Sequence, residues 1–458
     1  MGSELVDAGT GRTLWGLREP QWYVSAWTSG SSTAALRLTE DEKAGRYGRV
    51  KATQLLRFPA FAPMLAGFAP YTKLLQALRA AACHPDAVAE FPYDWRLPVA
   101  HNGNLLASFG RRHLQAWRDH RVLADVRRTH PDGDQPARLV LVAHSMGGLV
   151  AWHACLDTDF AAEVRAVMTL GTPFFGAPKA VLLLASGRGS PLPLPRARLR
   201  ELAAGLPGLY DLLPVYRCVG DVAEERRLTE GDVASAGGDA DLAAASFAWH
   251  KSMAGAVLPG HVPVVGVHQP TVQALTFDAG VVSGHRYSFR PSQTGMQRVD
   301  IGGDGTVPSD SAQLPDASGK EVNEVRALAQ SHGALAASAE VTLFAEYLLQ
   351  AGWRAGPLMG AGELGLDVPE VVAAGEPFEA TITGAERPTD VTCVVVDAAT
   401  EAPVDVLRTG RVNGTLVARG QSPPPGLYWV RLDGGGASPV RHMIMSIGAD
   451  RGDAGRTS

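Results

Sequence analysis

One short apolar run that ends at a serine constrains the fold more than any other stretch of the 458 residues. Residues 139–144 have the length and the Val and Leu content of a buried strand, and glycines followed by a second apolar run come directly after Ser145. This pattern predicts a strand, a sharp turn at the serine and a helix. Ala143 and Gly147 are small, as the close approach of strand and helix around a strained nucleophilic serine requires. The alternative is an ordinary loop that happens to contain a serine.

A serine hydroxyl becomes a useful nucleophile only when a base accepts its proton and a carboxylate orients that base. In enzymes with this kind of turn, the acid and then the histidine follow the serine along the chain. Asp304 follows a strand-like run and stands between two glycines, where the backbone can turn sharply. Asp300 and Asp310 are the nearby alternatives, but Asp300 alternates within the strand and Asp310 comes after a proline. Asp304 is therefore the predicted acid.

His332 is the predicted general base. Only two histidines, His332 and His442, follow Asp304 in the sequence, and His442 falls in a separate C-terminal region. The alternative for His332 is a histidine that caps a helix or lies on the surface. We expect His144 to point to the other side of the strand, which makes it a poor base. The backbone N–H of Met146 is the predicted oxyanion donor, and one such donor contributes roughly 3 kcal/mol in comparable sites.

Six motifs that occur in the same order over about residues 1–350 resemble the lecithin:cholesterol acyltransferase family in its bacterial branch. They are residues 91–96, 143–148, 170–173, 209–214, 303–308 and 332–333. The resemblance implies an α/β-hydrolase fold with a cap. It also implies hydrolysis of acyl esters, often phospholipids, or transfer of the acyl group to an alcohol through an acyl-serine. It implies no metal and no nucleotide cofactor.

The N-terminal region of the chain differs from the pattern of this family. Family members usually open with a strand that ends in Pro-Gly-x-x-Gly-[Ser/Asn]-x-Leu, where the residue after Pro-Gly gives the second oxyanion N–H. Residues 1–5 resemble only the tail of that motif. We therefore expect the first strand and the second donor to be encoded upstream of Met1. The cysteine-bridged membrane-binding segment of the vertebrate relatives has no counterpart before Tyr93.

The composition predicts an α/β domain over residues 1–355, a small β-module over residues 363–448 and a polar tail over residues 449–458. Strands and helices alternate up to residue 170, including a strand at 87–92, which indicates a parallel sheet. An insertion at about 177–260 is predicted to be a cap, and its apolar runs either line an acyl pocket or form the cap's own core. After a Gly/Pro linker at 355–362, short strands separated by turns predict an immunoglobulin-like sandwich with a hairpin turn at Asn413-Gly414.

The net charge of −5 supplies no electrostatic argument for a nucleic-acid partner. The four cysteines lie far apart, so the sequence predicts neither a disulfide framework nor a zinc site. We find no secretion signal and no apolar run of roughly 20 residues, and we expect a cytoplasmic protein without cofactors. The expected partners are a lipid or other acyl ester, an alcohol acceptor and a peripheral membrane contact.

The leading hypothesis is thus a serine O-acyltransferase or lipase. A second hypothesis is a catalytically weak or inactive hydrolase fold that serves as an interaction protein, motivated by the incomplete front and the added β-module. A peptidase is disfavoured because the motifs resemble lipid-ester enzymes. Asp94 and Arg96 could contact a lipid head group, but a structural ion pair is favoured.

Overall fold

The structure is a computed structural model. It describes residues 2–16, 31–56, 71–129, 135–187, 196–293, 295–314, 325–349, 364–434 and 439–448. These residues group into two units, the first extending to residue 349 and the second covering the C-terminal part from residue 364. The predicted linker at 355–362 and the polar tail at 449–458 lie outside the described residues.

The described strands of the first unit form four small sheets. They are β1 (Ser3–Asp7), β2 (Thr13–Trp15), β3 (Val50–Leu55), β4 (Leu139–His144), β5 (Val164–Leu170), β6 (Arg217–Val219), β7 (Arg226–Arg227), β8 (His261–Gly266), β9 (Ala274–Asp278), β10 (Val281–His285), β11 (Ser288–Ser292), β12 (Gly295–Val299) and β13 (Arg326–Leu328).

The described helices of the first unit connect and cover these sheets. They are α1 (Ser31–Ala35), α2 (Glu40–Lys43), α3 (Thr72–Ala81), α4 (Val99–Arg118), α5 (Arg121–Thr129), α6 (Met146–Ala154), α7 (Thr158–Glu163), α8 (Pro178–Ser186), α9 (Arg196–Ala203), α10 (Pro207–Tyr210), α11 (Glu230–Ser235), α12 (Ala240–Ser252) and α13 (Ala339–Leu349). Within the described ranges, we find no helix with the length and apolarity that crossing a bilayer needs.

The central sheet is parallel, as predicted, with the strand order β13-β8-β5-β4. Nearly every residue of β5 and β8 is buried, as expected for strands covered on both faces. One core cluster joins these strands to α3 and α13 and includes Leu74, Met168, Val264 and Phe344. The carboxyl ends of parallel strands share one edge of a sheet, so the turns after β4, β5, β8 and β13 lie close together.

The predicted cap region, residues 177–260, contains helices α8 to α12 and the short strands β6 and β7. It does not stand apart from the rest of the unit. Strand β6 pairs with β9, giving a four-stranded sheet of order β10-β9-β6-β7. The insertion and the chain that follows it therefore share one sheet.

The strand predicted at residues 87–92 is wrong. Pro85–Ala87 form a 3-10 turn, and the residues that follow run to Tyr93 without strand pairing. A strand is defined by a neighbouring backbone as much as by its own sequence, and none of the described strands pairs with this segment. Val88 still packs against the core cluster, which explains the apolar pattern that suggested a strand. Near the front of the chain, β1 pairs with β2 and β3 in an antiparallel sheet instead.

The second unit is all-β, as predicted. Its strands are β14 (Gly365–Asp367), β15 (Val371–Ala373), β16 (Pro377–Thr383), β17 (Thr392–Asp397), β18 (Pro403–Val412), β19 (Thr415–Gln421), β20 (Gly426–Asp433) and β21 (Val440–Ile447). They form one curled eight-stranded sheet of order β14-β16-β19-β18-β17-β20-β21-β15. The hairpin turn predicted at Asn413-Gly414 is confirmed, because both residues have positive φ angles, 50° and 83°, between the paired residues Val412 and Thr415.

Candidate active site

Ser145 lies at the sharp turn between β4 and α6. Its φ of 56° and ψ of −131° are unfavourable for a residue with a side chain, so the surrounding structure must hold the turn in place. The Ser145 N–H donates to the Leu170 carbonyl at the end of β5. A Cβ atom at Gly148 would lie 1.9 Å from Thr172 Oγ1, whereas at Gly147 the nearest atom is 3.8 Å away. The close approach of strand and helix that was predicted at Ala143 and Gly147 therefore depends on Gly148.

The structure brings Ser145, His332 and Asp304 together in one chain of hydrogen bonds. His332 Nε2 lies 2.8 Å from Ser145 Oγ, and His332 Nδ1 lies 2.7 Å from Asp304 Oδ2. His332 follows β13, and its side chain is 17% exposed. A carboxylate only accepts hydrogen bonds, so Nδ1 carries the proton and the lone pair of Nε2 faces the serine hydroxyl. This arrangement allows the imidazole to accept the Ser145 proton.

Asp304 is 1% exposed and is held on both of its oxygens. While Oδ2 faces His332, Oδ1 accepts hydrogen bonds from the N–H groups of Thr306 and Val307, at 2.9 and 2.7 Å. Two glycines make room for this carboxylate. A Cβ at Gly171 would lie 2.7 Å from Asp304 Oδ2, and a Cβ at Gly266 would lie 2.3 Å from Asp304 Cβ. Neither glycine could be singled out from the sequence, although Gly171 directly follows β5 and Gly266 ends β8.

The structure does not bring the other candidate acids to Ser145. Asp300 accepts hydrogen bonds from Gln273 Nε2 and from the Gly302 N–H. Asp310 pairs with Arg290. His442 lies on β21 of the second unit.

His144 is not the base that faces Ser145, but its side chain contacts His332. Its ring centroid lies 4.9 Å from that of His332, and its Nε2 lies 2.9 Å from the His332 carbonyl oxygen. On the other side of the ring, Nδ1 lies 3.0 Å from the hydroxyl of Tyr71. Neither contact could be found from the sequence, because the first joins residues 188 positions apart. The only signal was that His144 is adjacent to the serine.

Met146, the predicted oxyanion donor, is the first residue of α6. The N–H groups in the first turn of a helix have no acceptor within that helix, so the Met146 N–H has no intrahelical partner. Of the stretch that resembles the tail of the family's front motif, residues 3–5 form the beginning of β1. There, Ser3 Oγ accepts a hydrogen bond from the Tyr93 N–H. A second donor stays a prediction.

Arg96 is fully buried and belongs to an ion-pair cluster. Its guanidinium donates to both oxygens of Asp94, at 2.9 and 2.7 Å, and to Glu42 Oε1 at 2.9 Å. It also donates to the Leu36 carbonyl oxygen at 3.0 Å. These contacts confirm the structural ion pair, and a group with no exposed surface has no room for a lipid head group.

Comparison with known proteins supports the resemblance drawn from the motifs. Residues 61–250 match the model of the lecithin:cholesterol acyltransferase family. The match includes Ser145 but ends before Asp304 and His332. No curated protein matches the chain. At this level the match indicates an enzyme of the acyltransferase or esterase type.

Among solved structures, the chain is similar to the Bacillus licheniformis lipase BlEst2 in its propeptide form. The identity is 12%, the TM-score is 0.29, and the alignment covers 75% of this chain and 60% of that chain. A TM-score this low bears on neither fold nor activity.

Proposed function

We propose that this α/β-hydrolase, which is like the lecithin:cholesterol acyltransferase family over residues 61–250, is a serine-dependent O-acyltransferase or lipase acting on lipid acyl esters. The observation that carries the proposal is the unbroken chain of hydrogen bonds from Ser145 through His332 to Asp304. A serine in a strained turn, a base at 2.8 Å and a buried carboxylate behind the base are the parts that nucleophilic acyl transfer needs.

In the first half of the reaction, Ser145 Oγ attacks the acyl carbonyl carbon while its proton moves to His332 Nε2. The carbonyl π electrons move onto oxygen, and the Met146 N–H donates a hydrogen bond to the resulting oxyanion. Asp304 holds the imidazole in place and stabilises the imidazolium that forms. When the tetrahedral intermediate collapses, the bond to the leaving alcohol breaks, and that alcohol takes the proton from His332. The product is an acyl ester of Ser145.

In the second half, a water molecule or an alcohol attacks the acyl-serine. His332 Nε2 accepts the proton of the attacking hydroxyl and then returns it to Ser145 Oγ as the acyl–oxygen bond to the serine breaks. Water yields a free fatty acid, and an alcohol yields a new ester. The same residues thus serve hydrolysis and transfer, and the acceptor decides between them.

The choice of a lipid ester rests on the family resemblance. The matched region contains residues 91–96 and the serine turn, both of which belong to the motifs shared with that family.

Labelling with a fluorophosphonate tests the nucleophile. We expect the wild type to be labelled at Ser145, Ser145→Ala to resist labelling, and Ser235→Ala to be labelled like the wild type. Ser235 is an exposed serine whose hydroxyl donates to the Asp232 carbonyl, so it controls for the substitution itself. Equal labelling of wild type and Ser145→Ala would remove Ser145 from the role.

Product analysis then tests the substrate class. Mass spectrometry of products from p-nitrophenyl esters of short and long acids, and from phospholipid vesicles with and without an added alcohol, should show Ser145-dependent release or transfer of acyl groups. No turnover on any acyl ester, together with no fluorophosphonate labelling of Ser145, would favour a hydrolase fold used for interaction. Turnover of peptide substrates alone would favour a peptidase.

A further inference from the structure

We propose that His144 is a positioning residue that, together with the Tyr71 hydroxyl, holds the backbone of His332 so that its imidazole stays in line with Ser145. The proposal rests on the proposed function, since it concerns the base of the same reaction. It assigns a role to two side chains that the reaction steps above do not use.

The hydrogen bonds fix which nitrogen of His144 carries the proton. The His332 carbonyl oxygen can only accept, so His144 Nε2, 2.9 Å away, is the donor. In a neutral imidazole the other nitrogen then has a lone pair, and Nδ1 accepts from the Tyr71 hydroxyl at 3.0 Å. Each polar atom of this chain has a partner of the correct kind. Because the His332 carbonyl can only accept, Tyr71 donates to His144, and His144 donates to His332.

Burial keeps His144 neutral. Its environment lowers the pKa of the imidazole from 6.5 to about 3, mainly because a charge would lose its contact with water and also because His332 is close. The groups that face it are Tyr71, His332 and, through His332, Asp304. Burial also raises the pKa of the Tyr71 phenol, so Tyr71 remains a donor. Proton transfer between Tyr71 and His144 therefore does not compete with the reaction at Ser145.

A neutral His144 matters for the chemistry at His332. The proposed mechanism places a positive charge on the His332 ring, 4.9 Å from the His144 ring centroid. A second imidazolium at that distance would oppose the charge, whereas a neutral ring does not. His144 can thus hold the backbone of the base without raising the free energy of the charged intermediate.

The contact ties the nucleophile and the base to the same strand end. His144 is the last residue of β4, and Ser145 follows it directly. The His332 N–H donates to the Asp304 carbonyl at 2.8 Å, and its carbonyl accepts from His144. Both backbone polar groups of His332 are therefore held, one by the acid residue and one by the residue before the nucleophile. A shift of about 1 Å in such a group can lower the rate roughly 100-fold.

Two substitutions at His144 separate positioning from general packing. His144→Gln keeps a side-chain N–H near the position of Nε2, whereas His144→Leu has a similar size without a donor. We expect His144→Leu to lower kcat by 10- to 100-fold with KM within threefold of the wild type. His144→Gln should stay within fivefold of the wild-type kcat, and Tyr71→Phe should show an intermediate loss. Equal kcat values for His144→Leu and His144→Gln would overturn the proposal.

A second measurement does not depend on turnover. In protein labelled with 15N-histidine, we expect the His144 signals, assigned through His144→Gln, to show the Nε2–H tautomer and no titration between pH 5 and 8. Titration in this range, or the Nδ1–H tautomer, would overturn the proposal even if the enzyme is active. Absence of Ser145-dependent turnover in the wild type would count against the proposed function alone, and the nuclear magnetic resonance result would then decide on the His144 contact.

Discussion

Gly171→Ala should disable the site without changing any residue proposed to take part in the chemistry. Gly171 has a φ of 54°, and a Cβ there would lie 2.7 Å from Asp304 Oδ2, 2.9 Å from Leu335 Cδ1 and 3.2 Å from His332 Nδ1. An ordinary contact begins at about 3.4 Å, so the carboxylate would have to shift by about 0.7 Å. The left-handed backbone adds a cost of about 1–2 kcal/mol for alanine.

This shift is close to the 1 Å misplacement that can lower a rate 100-fold, so we expect kcat to fall by 10- to 100-fold while KM changes little. The free energy of unfolding should fall by about 1–3 kcal/mol, since backbone strain and the new contact add. Steady-state kinetics on a p-nitrophenyl ester and urea denaturation followed by circular dichroism measure the two effects.

Gly255→Ala is the matched control for Gly171→Ala. Gly255 also has a positive φ, 81°, but a Cβ there would meet no atom within 4 Å. It should therefore show the backbone cost with unchanged kcat. If Gly171→Ala keeps a kcat within threefold of Gly255→Ala, the packing of Asp304 against Gly171 does not set the geometry of the base, and the reasoning fails.

Three further predictions concern the packing and the buried charges around the site. Gly148→Ala should lower the free energy of unfolding by at least about 2 kcal/mol, because its Cβ would lie 1.9 Å from Thr172 Oγ1. The double variant Gly148→Ala with Thr172→Gly should recover part of that loss, as measured by urea denaturation. Arg96→Met should cost about 3–5 kcal/mol, since it leaves the buried Asp94 without its partner; a loss below 1 kcal/mol in the same assay would contradict this. Burial raises the pKa of Asp211 from 3.8 to about 6, so the native state binds this proton more tightly than the unfolded chain does. The free energy of unfolding therefore falls as the pH rises from about 4 to 6. Asp211→Asn, which keeps an acceptor for the Val99 N–H, should match the wild type at pH 4 and be more stable by up to about 3 kcal/mol at pH 8; equal stability at both pH values would refute this.

Much of the central sheet could be predicted from the sequence because its strands are short, mostly apolar segments. Five of the seven residues at 164–170 are apolar, and the structure places β5 at Val164–Leu170. Leu74, Leu75 and Leu78 mark one face of a helix, and α3 buries these three residues. The segment at 87–92 has a similar pattern but is not a strand. A local apolar pattern indicates that the residues are buried, but it does not indicate whether another backbone pairs with them.

The candidate site could also be predicted only in part from the sequence. Chain order and flanking glycines were enough to select Ser145, Asp304 and His332, and His332 lies within hydrogen-bonding distance of the other two. The positions of Gly171 and His144 could not be predicted, because their importance comes from contacts across the strand ends. A glycine matters at residue 171 because a carboxylate 133 positions later in the chain fills the space that a Cβ would occupy.

Strand β18 has a consequence for how the C-terminal unit unfolds. Its first half, through Leu407, pairs with β17, and its second half, from Arg408, pairs with β19. Each half of the strand is hydrogen-bonded to one group of strands only, so the backbone between Leu407 and Arg408 links the two groups. Amide hydrogens of the two groups should then exchange with solvent at different rates, because opening of one group leaves the hydrogen bonds of the other in place. Proteolytic nicking between Leu407 and Arg408 would cut this link and leave each half paired with its own group.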